Sequence, residues 1–390
     1  MNMTNKSKVR PQLRFEKFKD DWIKLNLNEV SERVKRKNKD LESLMPLTIS
    51  GQYGLVDQVT YFSKSVSAKN LEKYTLIKNG EFAYNKSYSN GYPLGAIKRL
   101  DRYEKGALST LYICFKVNEM NDSNFIKYFF ETTKWHKEVS SIAVEGARNH
   151  GLLNISVNDF FNIMINLPTL EEQQKIGDFF SKLDRQIELE KEKLELLEQQ
   201  KRGYMQKIFS QQLRFKDENG NEYPDWKDTK LNSIADIKTG NKNAQDSIEN
   251  GKYMFFDRSV DIKYLNTFDF DEEAIIYPGE GSKFLPRYFK GKYSLHQRAY
   301  SIHNIKIDPQ YLYNYLELQN NHFLKYAVGS TVKSLRMIAF NKLIISSPVM
   351  DEQEKIGNFF NKIDNLIELQ TNKIESLKQR KKGLLQKMFV

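Results

Sequence analysis

The amino-acid sequence predicts an α+β protein with a pseudo-twofold internal repeat, in which two globular α/β domains are separated by two long coiled-coil helices. Three observations predict this architecture. The segment at residues 167–209 recurs without a gap at residues 347–389, an offset of 180 residues. Both copies carry the apolar period of a coiled coil. The segments that open the two halves of the chain also match, and such internal repeats indicate duplicated structural units.

Each repeated segment is predicted to form one long helix. Apolar residues recur on alternating steps of four and three for about five heptads, a 3.5-residue period that is typical of a left-handed supercoil. Pro168 and Pro348 precede acidic turns, which favours a helix start with proline at its first position. The predicted seam residues are Ile176, Phe180, Leu183, Ile187, Leu194 and Leu197 in the first helix and Ile356, Phe360, Ile363, Ile367, Ile374 and Leu377 in the second.

Both seams are interrupted by polar residues at corresponding positions. The interruptions are Glu190 and Gln370, and then Lys201 and Lys381. Polar residues at seam positions can determine the register of a coiled coil. The matched interruptions therefore predict that the two helices pack on each other within one chain. The alternative is two separate amphipathic helices, each packed on its own globular domain.

The repeat also divides the chain into alternating globular domains and helices. The sequence Leu-Arg-Phe at residues 13–15, followed by Trp22, recurs at residues 213–215, followed by Trp226. The duplication therefore covers both ends of each half. The predicted boundaries are 1–167 for the first globular domain, 168–210 for the first long helix, 211–347 for the second globular domain and 348–390 for the second long helix.

The middles of the two globular domains share only faint landmarks. A strand runs into a glycine turn and a glutamate at residues 77–81 and again at residues 276–280. Helices are predicted at residues 124–136 and 309–324, and short β-rich pieces surround them, so each domain should be a compact α+β fold with a small sheet. Similar ends and different middles suggest a common scaffold that presents two different binding surfaces.

Composition favours a basic protein of a reducing compartment. The net charge is +11, and residues 1–170 carry +8 of it, which suggests a polyanion partner such as nucleic acid or a generically basic surface. The single cysteine, Cys114, lies in an apolar strand-like run and provides no disulfide framework. No run approaches the ~18 apolar residues of a membrane span. We therefore expect a cytoplasmic protein without a membrane segment.

Motifs that carry chemistry are missing from the sequence. There is no Walker A motif, no G-x-G-x-x-G after a strand, and no tetrapeptide beginning Asn-Pro-Pro or Asp-Pro-Pro, as an amino-methyltransferase would need. The histidines lack metalloprotease spacing, and no cysteine pair could hold zinc. The sequence therefore predicts a non-catalytic protein with no catalytic residue, metal ligand or cofactor of its own.

Polar residues in predicted turns are candidates for contacting DNA. Arginine and lysine suit guanine edges or phosphates, and asparagine and glutamine suit adenine. Any one of these residues could equally be an ordinary polar loop residue. The candidates are Lys86, Tyr88, Asn90, Tyr92, Lys98, Arg148, Asn149 and His150 in the first domain, and Lys283, Arg287, Tyr288, Lys290, Lys292, His296, Gln297, Arg298, Lys333 and Arg336 in the second.

The tandem arrangement resembles the specificity subunit of Type I restriction–modification systems over essentially the whole chain. The residues that carry the resemblance open the two long helices: Pro168, Glu172, Gln173, Lys175 and Ile176 in the first, and Pro348, Glu352, Gln353, Lys355 and Ile356 in the second.

The resemblance implies a function and partners. Each globular domain would be a target recognition domain that reads one half of a bipartite, asymmetric double-stranded DNA site. The two long helices would lie antiparallel and hold the two domains apart, so that the helix length would set the unread spacer. One specificity chain would assemble with two methylation subunits, which use S-adenosylmethionine, and two ATP- and Mg-dependent restriction subunits. The chain would direct these subunits to DNA without being an enzyme itself. Two alternatives remain at this point: a coiled-coil scaffold that does not bind DNA, and a nuclease with an unrecognised site.

Overall fold

The computed structural model describes residues 9–62, 71–88, 91–143, 153–258 and 261–390. The chain forms two compact units. The first unit comprises Met1–Glu190 and Lys373–Val390, and the second comprises Lys191–Asn372. This grouping differs from the four segments predicted along the chain, because each unit takes part of both long helices.

The first unit combines short strands with short helices ahead of the first long helix. Its strands are β1 (Ile23–Asn26), β2 (Ser31–Arg33), β3 (Leu47–Ser50), β4 (Gly54–Asp57), β5 (Thr75–Lys78), β6 (Phe82–Asn85), β7 (Ala96–Arg99), β8 (Lys105–Leu108), β9 (Ile113–Val117) and β10 (Met164–Leu167). Its short helices are α1 (Leu27–Val30), α2 (Gln58–Phe62), α3 (Ser123–Glu131), α4 (His136–Ile142) and α5 (Val157–Phe161).

A small antiparallel sheet forms the centre of the first unit. Within the described residues its strand order is β2-β9-β6-β7. Phe82 and Phe115 stack across the β6–β9 pair with ring centroids 5.0 Å apart. Both rings belong to a core that also contains Trp22 and Phe160. Strand β1 pairs with β10, so the beginning of the first unit lies beside the strand that leads into the long helix.

The second unit has the same order of parts. Its strands are β11 (Lys227–Lys230), β12 (Asp236–Thr239), β13 (Tyr253–Phe256), β14 (Lys263–Leu265), β15 (Phe270–Tyr277), β16 (Glu280–Gly281), β17 (Arg287–Leu295), β18 (Tyr300–His303), β19 (Lys333–Ser334) and β20 (Ile344–Ser347). Its short helices are α7 (Leu231–Ile234), α8 (Pro309–Glu317), α9 (Asn320–Tyr326) and α10 (Met337–Asn341).

The sheet of the second unit is larger than that of the first. Its strand order in the described part of the chain is β12-β18-β15-β17-β13-β14, with β13 and β17 parallel and the other pairs antiparallel. Strand β11 pairs with β20, as β1 pairs with β10 in the first unit. The two units therefore share the strand pair that leads into each long helix, and differ in the sheets between.

The two repeated segments form the long helices α6 (Leu170–Phe209) and α11 (Met350–Met388). Each begins two residues after its proline. The prediction that proline is the first helical residue is therefore wrong. The first backbone hydrogen bonds of the two helices are accepted by the carbonyls of Thr169 and Val349, from the N–H groups of Gln173 and Gln353.

Within each unit the beginning of one long helix packs beside the end of the other, so they run antiparallel there. In the first unit the rings of Phe180 and Phe389 lie 5.9 Å apart. In the second unit Phe360 stacks on Phe209, also at 5.9 Å. These pairings agree with the prediction that the seams meet within one chain.

The seam residues are most buried towards the helix beginnings. Seven of the predicted seam residues are buried: Ile176, Phe180, Leu183, Ile187, Ile356, Phe360 and Ile374. The others are half-buried: Leu194, Leu197, Ile363, Ile367 and Leu377.

Both helices predicted inside the globular domains are shorter than expected. The segment at residues 124–136 is divided into α3 and α4, because Thr132 leaves the helical conformation and caps α3 through the carbonyl of Phe129. The segment at residues 309–324 is likewise divided into α8 and α9, and α8 ends at Glu317. Among the described residues, no helix is long and apolar enough to cross a bilayer.

Candidate nucleic-acid interface

The repeated opening of each long helix is a structural junction. Glu172 is fully buried and accepts two hydrogen bonds from the Arg14 guanidinium, at 2.7 Å from Nε and 2.6 Å from Nη2. Glu352 accepts the corresponding pair from Arg214, at 3.2 and 2.6 Å. Bidentate arginine–carboxylate pairs are among the strongest and most directional polar contacts in proteins. They attach the segment that opens each half of the chain to its own unit.

The glutamine of each junction connects the long helix to a shorter one. The Gln173 carboxamide accepts from the Asp122 backbone N–H at 2.9 Å and donates to the Pro168 carbonyl at 3.0 Å. Asp122 is the N-cap of α3 and accepts from the backbone N–H of Phe125. A Cβ atom on Gly177 would lie 2.5 Å from the Asp122 carboxylate, so glycine lets α6 approach α3 closely. These contacts give the repeated motif a structural role.

The second unit repeats this arrangement residue for residue. Gln353 accepts from the backbone N–H of Asp308 at 3.0 Å and donates to the carbonyl of Pro348 at 2.7 Å. Asp308 caps α8, and Gly357 faces the Asp308 carboxylate. The two units therefore position their middles on the same local framework.

One matched pair of seam interruptions consists of lysines that join three elements. Lys381 in α11 lies 2.7 Å from both Glu131, at the end of α3, and Asp184 in α6. Burial by itself would lower the pKa of Lys381, but Glu131 and Asp184 raise it above its usual value, so the lysine stays charged. Lys201 in α6 makes the corresponding contacts in the second unit.

In the second unit Lys201 lies 2.9 Å from Glu317 in α8 and 2.8 Å from Asp364 in α11. Glu190, at the other interruption of the first seam, is buried and pairs with Lys373 at 2.7 Å. Lys201, Glu190 and Lys381 therefore each have a charged partner in the facing long helix, which opposes a shift of register.

The feature of the second unit best suited to a polyanion is the Glu280 cluster, defined as Glu280, Arg258 and Arg298. The Glu280 carboxylate is 7% exposed and accepts from Nη1 of Arg258 at 3.1 Å and from Nη1 of Arg298. Burial acts to raise the pKa of Glu280, but the hydrogen bonds from both arginines lower it below its usual value. The arginine side chains are 66% and 63% exposed, so an ionised buried group orients two exposed guanidiniums.

Several loops converge on the Glu280 cluster. Gln297 donates from its side chain to Asn243 at 2.8 Å. Strand β16 pairs with β19, so Lys333 lies opposite Gly281. A Cβ atom on Gly279 would collide with the backbone carbonyl of Arg298, so only glycine permits this approach. Loops from separate strands therefore bring together Gln297, Arg298 and Lys333 from the predicted set.

The predicted cations along β17 have carboxylate neighbours on β15. Lys290 lies 3.7 Å from Glu273, and Lys292 lies 3.9 Å from Asp271. Lys292 also lies over the ring of Phe268 at 4.6 Å. These pairs reduce the positive potential along this strand.

The remaining candidates of the second unit lie in turns and at strand ends. Lys283 and Arg336 are exposed, and Arg287 begins β17 opposite Ile276. Tyr288 donates its hydroxyl to Glu273. His296 accepts from the backbone N–H of Arg298 at 3.1 Å, which shapes the turn that carries Arg298.

In the first unit Glu81 occupies the place of Glu280, after the same strand and glycine. It is also buried, and it accepts two bonds from Nη2 of Arg36, at 2.8 and 2.7 Å. A further bond comes from the backbone N–H of Lys78 at 2.8 Å. A buried glutamate that holds arginine therefore occurs in both units, with the arginine supplied from different parts of the chain.

The candidates of the first unit lie in different environments. Lys86 donates to the carbonyl of Ile155 at 3.1 Å, and Tyr88 is exposed. The ring of Tyr92 lies against Gly51, with the Lys98 ammonium 5.9 Å from its centroid. Burial lowers the pKa of Lys98. The remaining candidates, Asn90, Arg148, Asn149 and His150, lie outside the described residues.

A comparison of the sequence with protein families gives a match in each half of the chain. The model of the Type I restriction modification DNA specificity domain matches residues 19–199 and again residues 223–379. The chain belongs to this family. The two matches confirm the predicted tandem repeat, and the structure confirms its α+β class.

Individual relatives of this specificity-domain protein have similar descriptions. It is 29% identical over 156 residues to the Type I restriction enzyme EcoDI specificity subunit of Escherichia coli, covering 40% of this chain and 33% of the relative. It is 25% identical over 332 residues to the MjaVIII specificity subunit of Methanocaldococcus jannaschii, covering 72% and 73%. The matched part therefore spans a third of the E. coli relative.

Solved structures support the fold of the specificity-domain protein. The S subunit of a Type I restriction–modification system from M. genitalium superposes with a TM-score of 0.62 at 16% identity, covering 98% of this chain and 99% of the other. At this identity the likeness is one of fold.

Sequence reasoning about this specificity-domain protein missed Arg36, Arg258 and both buried glutamates. The signal was present, because the strand, glycine and glutamate at residues 77–81 and 276–280 align. The arginines carried no comparable signal, since they reach the glutamates only through the tertiary fold.

An acidic cleft of the second unit contrasts with the Glu280 cluster. It is lined in part by Asp236, Glu272, Glu273 and His303. His303 contacts Glu272 at 3.0 Å through Nδ1. A surface of this charge repels a polyanion, so the cleft is a poor candidate for DNA contact.

Proposed function

We propose that this chain is the sequence-specific DNA-binding subunit of a Type I restriction–modification complex, and that each unit reads one half of a bipartite, asymmetric DNA site. Its membership of the DNA specificity family supports the DNA-reading role. The observation that carries the two-half-site reading is the repetition of the helix junctions around two different middles.

The repeated junctions and the different middles have separate consequences. Arg14 with Glu172 and Arg214 with Glu352 place the middles on equivalent local frameworks. The middles attached to those frameworks differ in the strand order of their sheets and in the polar residues of their loops. A repeated scaffold with two different readers suits two half-sites of different sequence, since the arrangement of half-sites follows that of the reading modules.

The proposed complex supplies the chemistry that this chain lacks. One specificity chain would work in the cytoplasm with two methylation subunits, which bind S-adenosylmethionine, and two restriction subunits, which bind ATP and Mg. Exposed leucines on the long helices support docking of partner subunits there: Leu189, Leu196, Leu366 and Leu369. In this proposal the length of the long helices sets the spacer between half-sites.

The test is the methylome of a host without adenine methylation of its own, expressing this chain with its cognate methylation subunit. We expect one bipartite methyladenine motif with two different half-sites, absent when this chain is omitted. An assembled, catalytically active methylation subunit that produces no such motif would refute the proposal.

A further inference from the structure

We infer that Arg258 and Arg298, oriented by the buried carboxylate of Glu280, read guanine in the half-site recognised by the second unit. This inference rests on the proposed function and adds to it the base and the residues that read it.

The arrangement of the Glu280 cluster separates its buried part from its exposed part. Glu280 lies almost entirely out of solvent, while about two thirds of each arginine side chain is exposed. Each arginine bonds the carboxylate through one Nη1 atom, so other N–H groups of each guanidinium stay available. The buried carboxylate of Glu280 therefore restricts the rotation of the Arg258 and Arg298 side chains before any ligand binds.

Restricted arginines suit a base edge better than a phosphate. Guanine presents O6 and N7 as two adjacent acceptors in the major groove, and a guanidinium bonds both only in one plane and direction. A phosphate can also be bound by a lysine ammonium that acts as a point charge, so binding it does not require a guanidinium fixed in one plane. The orientation imposed by Glu280 therefore matters for guanine and adds little for phosphate.

The charges around the cluster support the same choice. Lys263 pairs with Asp257 at 2.6 Å, and Lys242 pairs with Asp269 at 3.4 Å. Because carboxylates balance these two lysines, the lysines add little to the counterion release that drives phosphate binding. Gln297, the neighbouring candidate for adenine, already donates its amide to Asn243. The arginines are therefore the readers that this surface offers.

The experiment compares Arg258→Lys, Arg298→Lys and Glu280→Gln in the complex with the cognate methylation subunit. Arg202→Lys, on the exposed face of α6, is the matched control. Binding and methylation are measured on duplexes that carry the wild-type motif, on duplexes with each guanine of the second half-site replaced, and on duplexes with 7-deazaguanine at each such position. The 7-deaza base lacks the N7 acceptor while still pairing with cytosine.

We expect each arginine variant to lose roughly 5- to 150-fold of the discrimination at one guanine, with the first half-site read as before. For the wild type, 7-deazaguanine at that position should weaken binding, and in the matching variant it should have no further effect. Glu280→Gln should relax both positions, and Arg202→Lys neither. Reading of the first half-site within the same variant shows that the complex is folded and assembled.

Three results would overturn the inference while leaving the proposed function intact. The first is a wild-type second half-site without guanine. The second is a uniform loss of affinity across all sequences, with the slope of log affinity against log salt reduced by about one per arginine, which marks phosphate contacts. The third is unchanged reading by all three variants, which marks a purely structural ion pair. The absence of any bipartite motif with the wild-type chain would instead contradict the proposed function.

Discussion

Helix α6 packs tightly against the start of α3 at a glycine, Gly177. Replacing glycine by alanine in α6 should therefore destabilise the protein at this position and stabilise it at an exposed one. A Cβ atom on Gly177 would lie 2.5 Å from the carboxylate of Asp122 and 2.7 Å from Cβ of Asn124. Gly203, in the same helix, has no atom within 4 Å of the corresponding position. Alanine therefore meets packed atoms at one site and open space at the other.

The magnitudes follow from these two environments. Alanine is favoured over glycine inside a helix by about 1 kcal/mol. At Gly177 this gain is opposed by overpacking, which costs about 1–3 kcal/mol. Displacement of the Asp122 side chain would also weaken the N-cap of α3, whose loss costs about 1 kcal/mol. We expect Gly177→Ala to lower the free energy of unfolding by about 1–3 kcal/mol and Gly203→Ala to raise it by about 0.5–1 kcal/mol.

Urea denaturation followed by circular dichroism measures both changes, and hydrogen exchange of α3 reports whether its first turn has loosened. Gly357→Ala and Gly383→Ala repeat the experiment in the second helix, where Gly357 faces the cap of α8 and Gly383 faces open space. The reasoning is refuted if Gly177→Ala is as stable as Gly203→Ala. Protection of α3 that stays at the wild-type level would refute it as well.

Two further predictions concern the repeated ion pairs. Glu172→Gln should destabilise the chain by about 3–5 kcal/mol because it leaves the Arg14 guanidinium without its buried partner; Glu171→Gln, at an exposed neighbouring pair, should cost less than about 1 kcal/mol. Equal urea midpoints for these two variants would contradict the role given to the junction. Lys381→Met should cost about 1–3 kcal/mol, since it leaves two partly buried carboxylates unpaired, and the exposed Lys382→Met should change the midpoint little. Thermal unfolding compares the melting temperatures of Lys381→Met and Lys382→Met, and equal values would show that Lys381 does not stabilise the packing of the three elements.

The sequence was sufficient for the features that depend on local order. The 3.5-residue period predicted two long helices, and their observed bounds lie within two residues of the predicted start and end. The matched interruptions at Lys201 and Lys381 predicted a shared register. Such inferences succeed because helix periodicity depends on residues that are close along the chain, and a repeat can be read directly from the order of residues.

Inside the globular domains the sequence was less informative. Each predicted helix there is divided in two, since a local hydrogen bond at Thr132 ends α3 where the apolar pattern continues. The sequence also could not predict the partners of the seam lysine Lys381, because Glu131 and Lys381 are 250 residues apart along the chain. Pattern alone assigns no partner across such a distance.

What the sequence by itself determined is therefore the duplicated scaffold: its helices, its seams and the motif that opens each helix. Only the tertiary structure decided which side chains form the candidate interface. Arg258, Glu280 and Arg298 follow three different strands, and they meet because the order of those strands in the sheet brings their loops together. The physical reason is that helix periodicity follows from local geometry, whereas the pairing of a buried carboxylate with distant arginines depends on the packing of the whole unit.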